Sequence, residues 1–171
     1  MNTHFTTERL SLVPLEITEA EFIYQLVNTD AWLKFIGDRQ VKSIKDAEAY
    51  IQKILDNPAI HYWTVKLKDQ ETSIGNITLI KRDYLPHYDI GFAFLPEFGK
   101  KGYAYEAAVT VLQSILKEPA FSTVLATAAP KNLNSTQLLE KLGLTFDKEI
   151  EIDGKTLVLY HISAEDVTAV R

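Results

Sequence analysis

The chain has 171 residues, no cysteine and a formal net charge of -5 at pH 7. Disulfides, thiolate catalysis and zinc–cysteine sites are excluded, and the acidic balance argues against general attraction to nucleic acid or anionic membranes. A hydrophobic fraction of 46% with 24% charged residues fits one globular domain over 1–171. No apolar run reaches membrane-spanning length and no basic-plus-apolar signal segment opens the chain, so the cytoplasm is the expected compartment.

Leu10 to Leu15 reads as a first strand that is ending, or at a sheet edge, at Pro14. Thr18 with Glu21 three residues on has the pattern of a capping box. It would open a helix whose apolar stripe is Phe22, Ile23, Leu26 and Val27. Ser43 and Asp46 open a second helix, with Ala47, Tyr50, Ile51, Ile54 and Leu55 inward and a stop at Asn57-Pro58. Three strands follow, Tyr62 to Leu67, Ser73 to Ile80 and Tyr88 to Leu95, the first two joined by the turn Lys68-Asp69-Gln70-Glu71. A helix from about Tyr103 to Lys117 ends before Pro119, and a strand covers Thr123 to Ala128. After the loop Pro130 to Asn134, a short helix from about Ser135 to Leu142 ends at Gly143, a position suited to a left-handed cap. The strands Phe146 to Ile152 and Lys155 to Ile162 close the chain around Asp153-Gly154, a strong hairpin turn. The order β-α-α-β-β-β-α-β-α-β-β predicts a single-domain α+β fold, without linker or repeat.

The stretch Ile90 to Ala108 carries the most chemistry. An apolar strand meets Pro96, a Gly/Lys loop follows, and a good helix former begins at Tyr103. Free amides at a helix start converge on one spot, the helix dipole favours negative charge there, and glycine lets the backbone come close. The arrangement suggests a phosphate-bearing cofactor gripped by main chain. It is not a Walker motif and lacks G-x-G-x-x-G, which argues against nucleotide hydrolysis and dinucleotide binding.

The chain resembles the GNAT family of N-acetyltransferases, and more narrowly its RimJ/RimL-like branch, which includes ribosomal-protein-alanine acetyltransferases. The resemblance covers nearly the whole chain. It rests on Thr7-Glu8-Arg9-Leu10-Ser11-Leu12, Phe35-Ile36-Gly37-Asp38-Arg39, Leu79-Ile80-Lys81-Arg82-Asp83, Asp89 to Pro96, Asn132-Leu133-Asn134-Ser135 and Glu140-Lys141-Leu142-Gly143-Leu144. It implies a mostly antiparallel mixed sheet of about seven strands with about four helices, split where the strand ending at Leu95 splays from Thr123 to Ala128. It also implies acetyl-CoA, with its pantetheine arm bonded to main chain near Phe94 and Leu95. The pyrophosphate would sit on amides from Lys100, Lys101, Gly102, Tyr103 and Ala104. The family loop usually reads Gln/Arg-x-x-Gly-x-Gly/Ala. Here Gly99 holds the first position, Lys100 stands where close relatives often have glycine, and Gly102 and Ala104 are kept.

Acetyl transfer to an amine needs a proton acceptor, because an alkyl ammonium has a pKa around 10. Asp89 is the candidate base, against the plainer reading of a strand-end aspartate paired with Arg82. Glu106 reads as a helix-start carboxylate or salt-bridge partner, and Glu97 as solvated. By match to the Asn-x-x-Ser motif, Ser135 is the candidate proton donor to the leaving thiolate, its alternative being an N-cap. Asn132 would hold the pantetheine or form an Asx-turn. Trp32, Phe35, Arg39, Arg82 and His87 are candidates for the acceptor pocket, with packing or pairing to Asp38 and Asp83 as the alternatives. His61 and His161 read as structural, and the four histidines have no metal spacing. The expected activity is direct transfer from acetyl-CoA to a primary amine, a protein N-terminus or a small molecule, by a monomer or homodimer. The alternatives are a polyamine or antibiotic acetylase and a CoA-binding protein that no longer catalyses.

Overall fold

Tyr62 and Trp63 are neighbours in the chain yet belong to different cores. Successive side chains of a strand point to opposite faces, so a strand with both neighbours buried has helices on both sides. The computed structural model describes residues 1–169; the last two residues of the expected domain lie outside the described ones. The strands β1 (Phe5–Thr6), β2 (Leu10–Pro14), β3 (Ile60–Leu67), β4 (Thr72–Ile80), β5 (Asp89–Phe94), β6 (Thr123–Ala128), β7 (Thr145–Ile152) and β8 (Lys155–Ser163) form one sheet. Their order is β1-β2-β3-β4-β5-β6-β8-β7. Among the described residues every pairing is antiparallel except β5 with β6. A parallel pair needs a long crossover, supplied here by α4 (Tyr103–Ile115).

One face of the sheet, with Trp63, Val65, Ile77, Leu79, Val124 and Ala126, packs on Ala107, Ala108, Val111, Leu112 and Ile115 of α4 and on Leu139 of α5 (Leu133–Lys141). The opposite face, with Tyr62 and Leu95, packs on α1 (Ala20–Val27), α2 (Asp30–Phe35) and α3 (Ile44–Leu55) through Ile23, Leu26, Trp32, Ala47 and Ile51. Burying one such aliphatic side chain is worth about 1.5–3 kcal/mol. A last helix, α6 (Ala164–Ala169), follows β8.

Several local expectations hold. Ser43 caps α3 by accepting from the Asp46 amide at 3.0 Å, and Asp46 returns the bond by accepting from the Lys42 amide at 3.0 Å. Gly143 ends α5 at φ +98, and Asp153 and Gly154 turn the last hairpin at φ +51 and +78. Other expectations need correction. The Thr18–Glu21 capping box does not form: 17–19 is a 3-10 turn, α1 starts at Ala20 without a side-chain cap, and the Thr18 hydroxyl bonds Glu16 instead. A helix, α2, stands where a connecting loop was expected, capped by Thr29, which accepts from the Trp32 amide at 3.3 Å. Helix α5 begins at Leu133, so Ser135 lies inside its first turn and the N-cap is Asn132. With β1, α2 and α6 added, the described residues hold eight strands and six α-helices rather than about seven and four.

Gly75 faces Phe94 across the β4–β5 ladder. A Cβ there would stand 2.6 Å from Phe94 Cγ and 2.7 Å from the Ala93 carbonyl oxygen. A backbone oxygen cannot swing away, so Gly75→Ala should destabilise the fold by about 1–3 kcal/mol, read as a lower urea midpoint. An unchanged midpoint would mean that Phe94 does not lie over Gly75.

Candidate functional site

The Leu95 amide donates to Ile74 and the Ala93 amide to Asn76 Oδ1, so odd-numbered residues of β5 present their main chain to β4. Even-numbered residues therefore present theirs to β6. The Tyr88 carbonyl accepts from the Leu125 amide at 2.9 Å, and the parallel ladder consists of the single bridge Asp89↔Leu125. Beyond it the strands part. Among the described residues no strand pairs with Phe92 and Phe94 on that side, which leaves two N–H and two C=O groups aimed into the opening.

The wide end of this opening leads to the loop before α4. Lys100 and Gly102 both have left-handed backbone, at φ +58 and +83. Lys100 thus occupies a conformation that glycine adopts without the Cβ penalty of about 1–2 kcal/mol. Helix α4 starts at Gly102 without a side-chain cap, so its first-turn amides keep their donors for something outside the helix. Lys100 and Lys101 are exposed, while Tyr103 and Ala104 are half-buried.

Glu106, in the first turn of α4, accepts from the Thr7 hydroxyl at 2.6 Å, from the Arg9 amide at 2.9 Å and from Arg9 Nε at 2.8 Å. Partial burial pushes its carboxyl up, but these bonds outweigh burial and hold it below the ordinary range. Glu106 is a structural tie between the start of β2 and α4, in line with the salt-bridge reading.

Asp89 lies at the narrow end of the opening. It is buried and paired through Oδ2 with Arg82 Nε at 2.8 Å. Burial lifts its carboxyl and the Arg82 charge pulls it down, leaving it above the ordinary value. Arg82 therefore pairs with Asp89 rather than with Asp83. Asp89 precedes Phe92 and Phe94 by three and five residues, about 10 and 17 Å along a strand. Between them, Gly91 and Ala93 share its face and add little bulk; a Cβ on Gly91 would stand 2.7 Å from Thr78 Oγ1.

Asn132 Oδ1 accepts from the Ser135 amide at 3.4 Å, which is the Asx-type arrangement, and Ser135 is half-buried. Trp32 is buried among α1, α3 and Leu95, and its Nε1 has no hydrogen-bond partner among the described residues. Phe35 is half-buried under Lys34 Nζ, 5.0 Å from the ring centroid. Arg39 is exposed and its charge acts on the Tyr50 hydroxyl, whereas Asp38 is taken by the Gln40 amide at 2.8 Å. His87 is exposed on the segment before β5.

One buried polar residue that bears on β5 was not found from the sequence, Asn76. Asn76 donates from Nδ2 to the Tyr62 hydroxyl at 2.8 Å while its Oδ1 holds the Ala93 amide at 2.9 Å. Asn76 alternates with apolar neighbours in the sequence, a pattern that does not tell which face is covered; it lies with Tyr62 on the face packed by α1 and α3. Among the described residues no group of His, Asp and Glu could hold a metal ion, and no helix is long and apolar enough to cross a membrane.

Among the described residues, a mixed α+β sheet opens at its one parallel pair, beside a helix start without a side-chain cap. Residues 9–145 match the family model described as an acetyltransferase (GNAT) domain. The uncharacterized N-acetyltransferase YnaD of Bacillus subtilis (strain 168) is 31% identical over 141 residues, covering 82% of each chain. A GNAT-family acetyltransferase structure from Bacillus anthracis superposes with TM-score 0.80 at 25% identity, over 95% of this chain and 99% of that one. The ribosomal-protein-S5-alanine acetyltransferase from Vibrio fischeri superposes with TM-score 0.79 at 17% identity, over 96% and 98%, a likeness of fold. The chain belongs to the GNAT family of acetyltransferases.

Because the Glu106 carboxyl is held below its ordinary value of 4.5, its bonds stabilise the fold above that pH and are lost as pH falls through the depressed value. Glu106→Gln should lower the denaturation midpoint at pH 7, and the gap from wild type should close as the pH is taken from about 5 to 3. A gap that stays constant with pH would show that the carboxylate charge contributes nothing.

Proposed function

We propose that this acetyltransferase moves an acetyl group from acetyl-CoA directly to a primary amine within a ternary complex, with residues 1–171 as one domain. The observation that carries the reading is the split between β5 and β6. Phe92 and Phe94 offer main-chain donors and acceptors two residues apart, the spacing at which a neighbouring strand would pair. Pantetheine has two amide groups and fits that edge, next to Phe94 and Leu95. Its diphosphate suits the amides of Lys100, Lys101, Gly102, Tyr103 and Ala104 at the uncapped start of α4.

The bound cosubstrate supplies an activated thioester. The chain's own residues do the rest. Asp89 receives the amine proton through water over the low relief of Gly91, since its distance along β5 is too long for direct contact. An amide of β5 near Phe94 bonds the carbonyl oxygen as charge develops on it. The amine nitrogen forms the new bond to the carbonyl carbon and the carbon–sulfur bond breaks; Ser135 gives a proton to the departing sulfur and takes one in its place, through water, from the nitrogen as it becomes an amide. Asn132 caps this helix start and is assigned to hold the arm. Trp32, Phe35, Arg39, Arg82 and His87 border the acceptor. The absence of cysteine is consistent with transfer without a cysteinyl intermediate. The acceptor is a protein α-amine or a small-molecule amine, the RimJ/RimL-like motifs favouring the former, and the protein works in the cytoplasm as a monomer or homodimer.

A second reading, a CoA-binding protein without turnover, is favoured by one feature, the strained Lys100 in a loop whose first position is Gly99. Acetyl-CoA should raise the melting temperature while adenosine nucleotides lacking pantetheine should not. No shift with millimolar acetyl-CoA would contradict the cosubstrate, and a shift without transfer to any amine would favour the second reading. With an acceptor in hand, Asp89→Asn should lower kcat about 10²-fold or more and leave acetyl-CoA affinity nearly intact, whereas Ser135→Ala should cost about tenfold. Unchanged turnover in Asp89→Asn would remove Asp89 from the mechanism.

A further inference from the structure

Arg9, just before β2, meets the loop–helix junction of α4 at several points. Nη1 donates to the Lys101 carbonyl at 3.0 Å, and Nε donates to Glu106 Oε2 at 2.8 Å. The guanidinium lies over the Tyr103 ring, 4.3 Å from its centroid. Nη2 is 3.3 Å from where a Gly102 Cβ would stand. These contacts fall on the junction that bends through left-handed backbone at Lys100 and Gly102, a shape the loop's own side chains do not cap.

The geometry of a trans peptide turns these contacts into a consequence. Its C=O and N–H point in opposite directions. By holding the Lys101 carbonyl, Arg9 points the Gly102 N–H in the opposite direction within that peptide plane, away from itself. By holding Glu106, it fixes the helix turn that follows. We propose that Arg9 is a positioning residue for acetyl-CoA: its planar fork keeps the Gly102 amide and the first α4 amides converged on the diphosphate. The inference rests on the cosubstrate reading above. Shape rather than charge is what Arg9 supplies, because its charge is already paired with Glu106. A lysine carries the charge but has no planar fork to bond both partners while stacking on Tyr103.

The test is calorimetric titration of acetyl-CoA into the wild-type protein, Arg9→Ala and Arg9→Lys, with chemical-shift titration of S-acetylpantetheine, which has the arm without the diphosphate. The expected result is an acetyl-CoA Kd raised about tenfold in Arg9→Ala and nearly as much in Arg9→Lys, with S-acetylpantetheine shifts and affinity unchanged. Arg9 is partly exposed, at 42% of its side chain, so both variants are expected to fold. Full rescue by lysine would overturn the shape argument in favour of simple charge. Equal weakening of both ligands would overturn it in favour of general loosening of the fold. Wild-type binding with unaltered variants would sink the Arg9 inference alone, whereas absence of acetyl-CoA binding by the wild type would take the cosubstrate reading down with it.

Discussion

The structure depends on one strand pair that is allowed to fail. Among the described residues, eight strands are held together by antiparallel ladders everywhere except between β5 and β6, where one parallel bridge at Asp89 and Leu125 is followed by divergence. A parallel pair obliges the chain to cross over, and the crossover helix α4 must start near the carboxyl end of β5. The helix start and the wide end of the opening are therefore neighbours by topology. Unpaired strand amides and unpaired helix amides, each costly to bury without a partner, are gathered at one place.

The remaining elements hold that arrangement open. Helices α1 to α3 cover the β3–β4 half of one face, and α4 and α5 cover the other. Gly75 lets Phe94 lie across the ladder, and Asn76, itself bonded to Tyr62 of β3, ties β4 to β5 through the Ala93 amide. These contacts fasten β5 to its antiparallel neighbour on one edge while its other edge is left unpaired. Thr7, Arg9 and Glu106 join the first strands to α4, so the segment nearest the amino terminus shapes the loop almost a hundred residues later. The tie gives a physical reason for the Thr7-Glu8-Arg9-Leu10 signature.

Much of this was legible in the sequence because it is written in local chemistry. Ser43 with Asp46, Asp153-Gly154 and Gly143 act over a few residues, and each folds as its residue types dictate. The strand–loop–helix junction at 90–108 was equally plain. What was not legible depends on partners distant in sequence. Glu19 sits after the supposed cap residue Thr18 but is drawn to Lys66 at 2.8 Å and to Ser73 at 2.7 Å, across the sheet. Asp30 to Phe35 is too short to show a helical period and is set by the cap at Thr29. The alternation around Asn76 does not tell which face is covered until two helices are laid over it. Asp89 and Arg82 could be paired on paper, but the distance from Asp89 to the unpaired amides follows only from the register.

The most direct test is amide hydrogen exchange, residue by residue, with and without acetyl-CoA. The expected result is slowed exchange at Phe92, Phe94 and the first residues of α4, with no change in the Asp153-Gly154 hairpin. Unchanged exchange at Phe92 and Phe94 in protein saturated with acetyl-CoA would contradict the claim that the opening between β5 and β6 receives the cosubstrate.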